Sequence, residues 1–391
     1  MTPLRGTWNY PTHVRFGAGR IAELGDACRE LGITKPLLVT DRGLAPLQMV
    51  ADTVALLGNA GLPTEVYADV RGNPVGEDVD GGVAMLREGG FDGVIAFGGG
   101  SALDVGKAVA LMWGQTRPLW DFEDQADWWT RIDPAGILPI VAVPTTSGTG
   151  SEVGRASVIT DAATHTKKII FHPKMLPGRV VADPALTVGL PAGLTAATGM
   201  DALSHNLEAY CAPGFHPMAD GIAVEGIRLV HEAIEAAVRD GGDLDARAKM
   251  MAASLMGATA FQKGLGAMHS VAHVLGAHFN AHHGLLNAIL MPYVLVYSRP
   301  AIDSRIADLS RSLGLAPTFD AFLDRVLHLR ATLGIPHTLE GIGLTEAAIP
   351  ALAAESMLDA STPTSAVEMT HAGFERIYRA ALHGTKASSA A

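Results

Sequence analysis

The sequence predicts a doubly wound α/β domain over residues 1–187 followed by an all-helical domain over residues 188–391. Three observations point that way. Up to about residue 185, short apolar or β-branched runs alternate with segments of helix length, the pattern of parallel strands joined by helical crossovers. From about residue 190 the rhythm changes to long helical periods rich in Ala, Leu, Met and Glu. A chain of 391 residues, 48% of them hydrophobic, also has enough material for two cores.

The strands are expected at HVRFG (13–17), PLLVTD (36–41), TEVYAD (64–69), GVIAFGG (93–99) and LPIVAVP (138–144). Their near-continuous apolar character implies a sheet covered on both faces. Amphipathic stretches such as ALLGNAGL and DGGVAMLREGG supply the covering helices. The second half reads as helices in TAATGMDALSHNLEAYC, ADGIAVEGIRLVHEAIEAAV and ARAKMMAASLMGATAFQ, punctuated by Pro and Gly at ADPALTVGLPAG, GFHPM and GIPH. The tail GTKASSAA is expected to fray, and LWDFEDQADWWTRIDP (119–134) reads as packing, with a cleft lining or a subunit contact as the alternatives.

Composition narrows the function. A formal net charge of -11 argues against a nucleic-acid surface, which needs clustered Lys and Arg. Only Cys28 and Cys211 are present, which excludes a disulfide framework and a CxxC metal site. The start carries no charged region followed by an apolar one, and no run of 18 apolar residues follows later. A cytoplasmic, soluble enzyme acting on a small molecule, with no nucleic-acid or membrane partner, is the expectation.

Two loops follow buried strands. In VIAFGGGSALDVGKAVAL, Gly98, Gly99 and Gly100 allow positive φ and close backbone approach, and the following helix offers free N–H groups to a pyrophosphate. In the alternative reading, Ser101 caps that helix and Asp104 closes a capping box. The run is neither a Walker A loop, since Ser101 and Ala108 break it, nor GxGxxG, since Leu103 takes the last glycine. The second loop, PTTSGTGSEV (144–153), is rich in hydroxyls and glycines. Such loops at strand carboxyl ends are where open α/β sheets bind nucleotides. Asp41, at the end of LLVTD, would accept from ribose hydroxyls and repel a 2′-phosphate, favouring NAD; otherwise it caps its loop or the LAPLQMV helix.

The segment GLGAMHSVAHVLGAHFNAHHGLLN holds five histidines, His269, His273, His278, His282 and His283. Upstream, GMDALSHNLEAY places Asp201 and His205 one turn apart on one helical face. Burying that many imidazoles without partners is unfavourable, so a shared cation is the economical reading. Spacing leaves the set open: Asp201 and His205 with any two of His269, His273 and His283, Gly284 ending a helix or forming a sharp turn. Nitrogen with one carboxylate and no thiolate suits Fe²⁺ or Zn²⁺ over Ca²⁺ or Mg²⁺.

FGAG, FGGGSALDVGKA, PTTSGTGSE, DPALT, GMDALSHNLEAY and GAMHSVAHVLGAHFNAHHGLLNAILMP, in that order, resemble the iron-containing (group III) alcohol dehydrogenases over essentially the whole chain. The resemblance implies a Rossmann-like nucleotide domain and a helical domain, the dehydroquinate synthase-like fold, with nicotinamide held against a divalent metal. It implies Asp201, His205, His269 and His283 as metal ligands and His273 as a proton relay. It assigns Gly99, Gly100 and Ser101 to the pyrophosphate, with Asp104 among the cofactor residues, and Thr145, Thr146 and Thr149 to phosphate, ribose and nicotinamide. Asp41 matches the carboxylate that selects NAD, and Lys167 a lysine reaching the ribose, with Lys168 the alternative register. His278 and His282 take supporting or structural places.

The implied activity is reversible, NAD(H)-linked hydride transfer on a small primary alcohol or aldehyde, with Fe²⁺, Zn²⁺ or another divalent metal, in a homodimer. Arg155 is the candidate for pairing a substrate carboxylate or phosphonate, pointing to an ω-hydroxy acid or its aldehyde; the alternative is a surface or interface arginine. Competing readings are a glycerol dehydrogenase-like polyol oxidoreductase, a dehydroquinate-synthase-like lyase, a maleylacetate reductase, or a nucleotide- and metal-binding regulator without turnover.

Overall fold

The computed structural model describes residues 10, 12–164 and 166–385. Expectations about the tail beyond 385 and about a leader in residues 1–9 lie outside the described residues. Contacts divide the chain into an α/β unit, Tyr10–Thr146 with Gly150–Gly189, and a helical unit that begins at Leu190 and also takes Ser147–Thr149. The changeover falls two residues past the boundary read from composition.

In the α/β unit, β1 (His13–Phe16), β2 (Pro36–Val39), β3 (Glu65–Tyr67), β4 (Gly93–Gly98) and β5 (Ile140–Pro144) occupy the expected segments. The sequence reading omits a hairpin, β6 (Ala156–Asp161) antiparallel to β7 (Thr166–Phe171), and β8 (Arg179–Ala182). The main sheet has the order β1-β8-β5-β4-β2-β3 and is parallel throughout. Its central strands β2, β4 and β5 are buried at every residue, as their unbroken apolar runs require. The helices are α1 (Leu24–Glu30), α2 (Gln48–Asn59), α3 (Gly76–Gly89) and α4 (Gly100–Met112). Leu24, Cys28, Leu57, Ile95, Phe97 and Val143 meet in one of the cores. Register aligns Gly98 of β4 with Pro144 of β5, so both candidate loops leave the sheet from adjacent carboxyl ends. In the tryptophan-rich stretch, Leu119 and Phe122 are buried and Asp124 N donates to Ile169 O, so it packs on the hairpin.

The helical unit comprises α5 (Ala192–Cys211), α6 (Pro217–Arg239), α7 (Leu244–Ala260), α8 (Ala267–Phe279), α9 (His283–Ser312), α10 (Phe319–Thr332), α11 (Ile349–Ser356) and α12 (His371–His383). Helix α5 is buried at every residue from Thr195 to Tyr210 and packs on α6, α7 and α9. A helix hidden on all sides is the centre of its bundle, so polar groups on α5 must find partners inside protein. Asp243, Thr318 and Thr370 cap α7, α10 and α12 with side-chain oxygens. Among the described residues one helix, α9, is long and apolar enough to cross a membrane, but 67% of that window is buried by protein, as in a core helix.

Candidate metal and nucleotide sites

Asp201 and His205 lie one turn apart on α5, His269 on the first turn of α8 and His283 at the start of α9. One ligand atom from each lies within 4.8 Å of the others. Asp201, His205 and His269 are buried and His283 is half-buried. Gly284 does not end a helix, as spacing suggested; it is the second residue of α9. A Cβ there would stand 2.4 Å from Ala197 O and 3.0 Å from Asp201 Cβ. Glycine therefore lets α9 start flush against α5, which brings His283 to Asp201.

The ring orientations are set from outside the quartet. His269 Nδ1 donates to Glu208 Oε2 at 2.7 Å, and His205 Nδ1 donates to Gly148 O at 3.2 Å. Each bond leaves the Nε2 lone pair for the shared centre, the usual support of a histidine ligand. Asn287 Nδ2 donates to Asp201 Oδ1 at 2.9 Å and lies 3.2 Å and 3.1 Å from Nε2 of His269 and His283. Two amide protons cannot serve three acceptors, so the lone pairs gathered here exceed the protons Asn287 can direct at them. Phe261 packs edge-on against His205 as an apolar wall. Three imidazole nitrogens and one carboxylate oxygen form a donor set suited to Fe²⁺ or Zn²⁺.

Burial holds His205 down at about 4, so its imidazole is neutral and able to ligate. Burial also opposes charge on His269, but the hydrogen bond to Glu208 and the field of Glu208, Asp201 and Asp359 outweigh it and raise its pKa. A pocket that draws a proton to that ring attracts a cation as well. No Lys or Arg among the described residues forms an ion pair with Asp201, Glu208 or Asp359.

His273, which spacing made an equal candidate, stands outside the quartet. Its Nδ1 donates to Asp359 Oδ2 at 2.9 Å, and its ring stacks on His283 at 5.3 Å. Burial would raise the Asp359 carboxyl, but His273 beside it and the Ser361 amide bring it down to about 2. His278 pairs with Glu355, and His282 is the N-cap of α9. Glu208, Gly148, Asn287 and Asp359 were missed by sequence reading. The visible signal was Glu208 itself, seven residues after Asp201 on the same helical face.

In the α/β unit, Asp41, Gly98–Ser101 and Thr145–Thr146 come together at the carboxyl ends of β2, β4 and β5. Thr145 N donates to Gly98 O at 3.0 Å, and a Cβ on Gly99 would lie 3.3 Å from Thr146 Cγ2. Of the three glycines only Gly98 has positive φ, at 147°. A Cβ there would stand 2.7 Å from that of Ala102. Asp41 Oδ1 accepts from Gly43 N at 2.8 Å and Leu44 N at 3.0 Å, so it caps its own loop rather than the helix beginning at Gln48.

The capping box at Ser101 and Asp104 does not form. Helix α4 begins one residue before Ser101, whose hydroxyl donates to Gly72 O at 2.6 Å. Asp104 accepts from Ser151 Oγ at 2.5 Å and Val158 N at 3.0 Å and pairs with buried Lys107 at 3.2 Å. Its carboxylate ties the loop and hairpin to α4. Lys168 pairs with Asp161 at 3.0 Å, while Lys167 neighbours it on the opposite face of β7. Thr149 belongs to the helical unit by its contacts. Arg155 stacks over Phe171 at 5.5 Å, and no carboxylate of a described residue pairs with it.

Residues 11–184 match the model described as iron-containing alcohol dehydrogenase, and residues 195–382 the C-terminal model of the same family. The chain belongs to the iron-containing alcohol dehydrogenase family and is an oxidoreductase acting on CH–OH groups. It is 39% identical over 378 residues to 4-hydroxybutyrate dehydrogenase of Cupriavidus necator, covering 94% of this chain and 97% of that one. Among solved structures, a 1,3-propanediol oxidoreductase superposes with TM-score 0.91 and 34% identity over 96% of this chain and 100% of that one. Sulfoacetaldehyde reductase from Bifidobacterium kashiwanohense, in complex with NAD+, gives TM-score 0.87 and 29% identity over 96% and 99%.

Proposed function

We propose that this protein is a metal-dependent, NAD(H)-linked alcohol dehydrogenase that interconverts a small ω-hydroxy acid and its aldehyde. The observation that carries the proposal is the convergence of Asp201, His205, His269 and His283, with two of the rings turned by outside acceptors to aim Nε2 inward. These four would hold a divalent cation, Fe²⁺ first. When bound, it supplies Lewis acidity that makes an alcohol easier to deprotonate. His273, oriented by Asp359, is positioned to pass the released proton toward water. A nicotinamide cofactor, when bound, would supply the acceptor for the hydride.

We assign Gly99, Gly100, Ser101, Thr145, Thr146, Thr149 and Lys167 to the cofactor. Asp41, a carboxylate at the end of β2, favours NAD over a 2′-phosphorylated cofactor, and the NAD+-bound relative supports that choice. For the substrate, two of the relatives are named for compounds carrying an acid group at the far end from the reacting carbon. Arg155, a cation with no ion-pair partner among the described residues, is the group assigned to that acid.

Cys28 and Cys211 are unpaired, and burial pushes both thiols up to about 12, which fits a reducing cytoplasm. Exposed Tyr10 and Phe16 at the β1 edge of the sheet suit a homodimer. Metal-reconstituted protein should reduce NAD+, followed by nicotinamide absorbance, faster with 4-hydroxybutyrate than with 1-butanol or 1,3-propanediol. Arg155→Ala should erase that preference and spare the plain alcohols. An unchanged preference sinks the acid assignment, and no NADH from any alcohol sinks the whole reading.

A further inference from the structure

We propose that Glu208 is a positioning residue that fixes which nitrogen of His269 faces the cation, using the same carboxylate that anchors the first turn of α8. This rests on the metal reading above. Glu208 is 8% exposed and receives three N–H groups. Oε2 accepts from Gly266 N at 2.8 Å and from His269 Nδ1 at 2.7 Å, and Oε1 accepts from Met268 N at 2.8 Å. Gly266 is the N-cap of α8, whose own backbone supplies no partners for its first amides and whose dipole favours an anion there.

The arrangement makes the tautomer of His269 a consequence of helix anchoring. With Oε2 already accepting from Gly266 N, the carboxylate is held where only an Nδ1 proton makes a good contact. The neutral ring of His269 must then present an unprotonated Nε2. The opposite tautomer would point an N–H at the cation and set two lone-pair acceptors against each other at Glu208. Because Asp201, His205 and Glu208 share one rigid helix, the anchor and two of the ligands move as a unit.

Glutamine has the same shape but cannot keep all three bonds. If its oxygen stays beside Gly266 and His269, its amide confronts the N–H of Met268. Turned over, the amide donates to Nδ1 and drives the proton to Nε2. Either outcome weakens the metal site while leaving the rest of α5 unchanged.

The test measures Co²⁺ and Zn²⁺ binding to metal-stripped wild type and Glu208→Gln by competition with a chromophoric chelator. Affinity should fall by about 10- to 100-fold, with the helical circular dichroism of the stripped proteins matching. Binding of both ions within about twofold of wild type overturns the proposal. A second arm needs no variant. Nitrogen-15 histidine NMR of the zinc-loaded wild type should show His269 protonated at Nδ1 and coordinated through Nε2; Nδ1 coordination, or a proton on Nε2, overturns it. Failure of wild type to bind either ion overturns the metal reading itself, a result distinct from equal affinity in the two proteins.

Discussion

Two buried polar clusters in this molecule look alike in composition and differ in chemistry. In the α/β unit, Asp104 and Lys107 pair with one another, and Lys107 Nζ also donates to Ser151 O at 3.0 Å and to Ala156 O. Burial holds neighbouring Glu152 up at about 7 and lowers Lys107 against the pull of Asp104. Cation, anion and backbone dipoles there answer one another within the protein. In the helical unit, Asp201, Glu208 and Asp359 surround imidazoles with no Lys or Arg ion pair among the described residues. Burial of charge is thus a poor guide to function by itself; what marks a site is acceptor capacity that the protein leaves to a cation from outside.

The largest effect should come from His269→Ala. Elemental analysis should find the metal gone, and turnover should drop to background, while the α/β unit keeps its stability. Full activity in a metal-free variant would erase the contrast between the clusters. Lys107→Met should do the reverse: the α/β unit loses about 3–5 kcal/mol as Asp104 is left without its cation, and the metal content of the surviving folded protein is unchanged. Urea titration followed by metal analysis separates the two results.

Chelation should act on the helical unit alone. At a free metal concentration near 100 times Kd, bound metal contributes about 2.7 kcal/mol. Calorimetry with and without chelator should therefore move the transition of that unit, and an equal shift in both would show the clusters are not independent.

The smallest effect concerns pH. Glu152 titrates near 7 in the folded protein, above its ordinary 4.5, because burial disfavours the carboxylate. The native state therefore holds this proton more tightly than the unfolded chain does. The stabilisation is complete below about pH 4.5 and declines as pH rises through about 7. Glu152→Gln, always neutral, should flatten that decline; urea midpoints at about pH 5 and about pH 8 that fall equally in variant and wild type would contradict it.

Much of the fold was legible because parallel strands and their glycine turns are local patterns. GVIAFGGGSALDVGK announces strand, turn and helix in order, and β4, Gly98 and α4 follow it. The four-residue β8 and the β6–β7 hairpin were not legible, since RVVA is too short to show a period and the hairpin gains its place by bonding to Asp104. At the metal site, spacing brought out Asp201, His205 and the histidine cluster but could not separate His273 from His283. Both sit one turn or one loop from a neighbour, and what sets them apart lies far along the chain: His273 is held by Asp359, 86 residues away, and His283 meets Asp201 of α5.

By itself the sequence determined the alternation of strand and helix, the glycine-bearing loops, and the presence of enough nitrogen and carboxylate donors for a metal, because those are set by composition and short-range period. Family resemblance then ranked the donors. Tertiary structure alone decided that α9 begins against α5 through Gly284, that Glu208 and Gly148 turn His269 and His205, and that Asp104 serves the scaffold. Each of these is a meeting of residues far apart along the chain, and a hydrogen bond or a close packing contact leaves no periodic trace in the segments that make it.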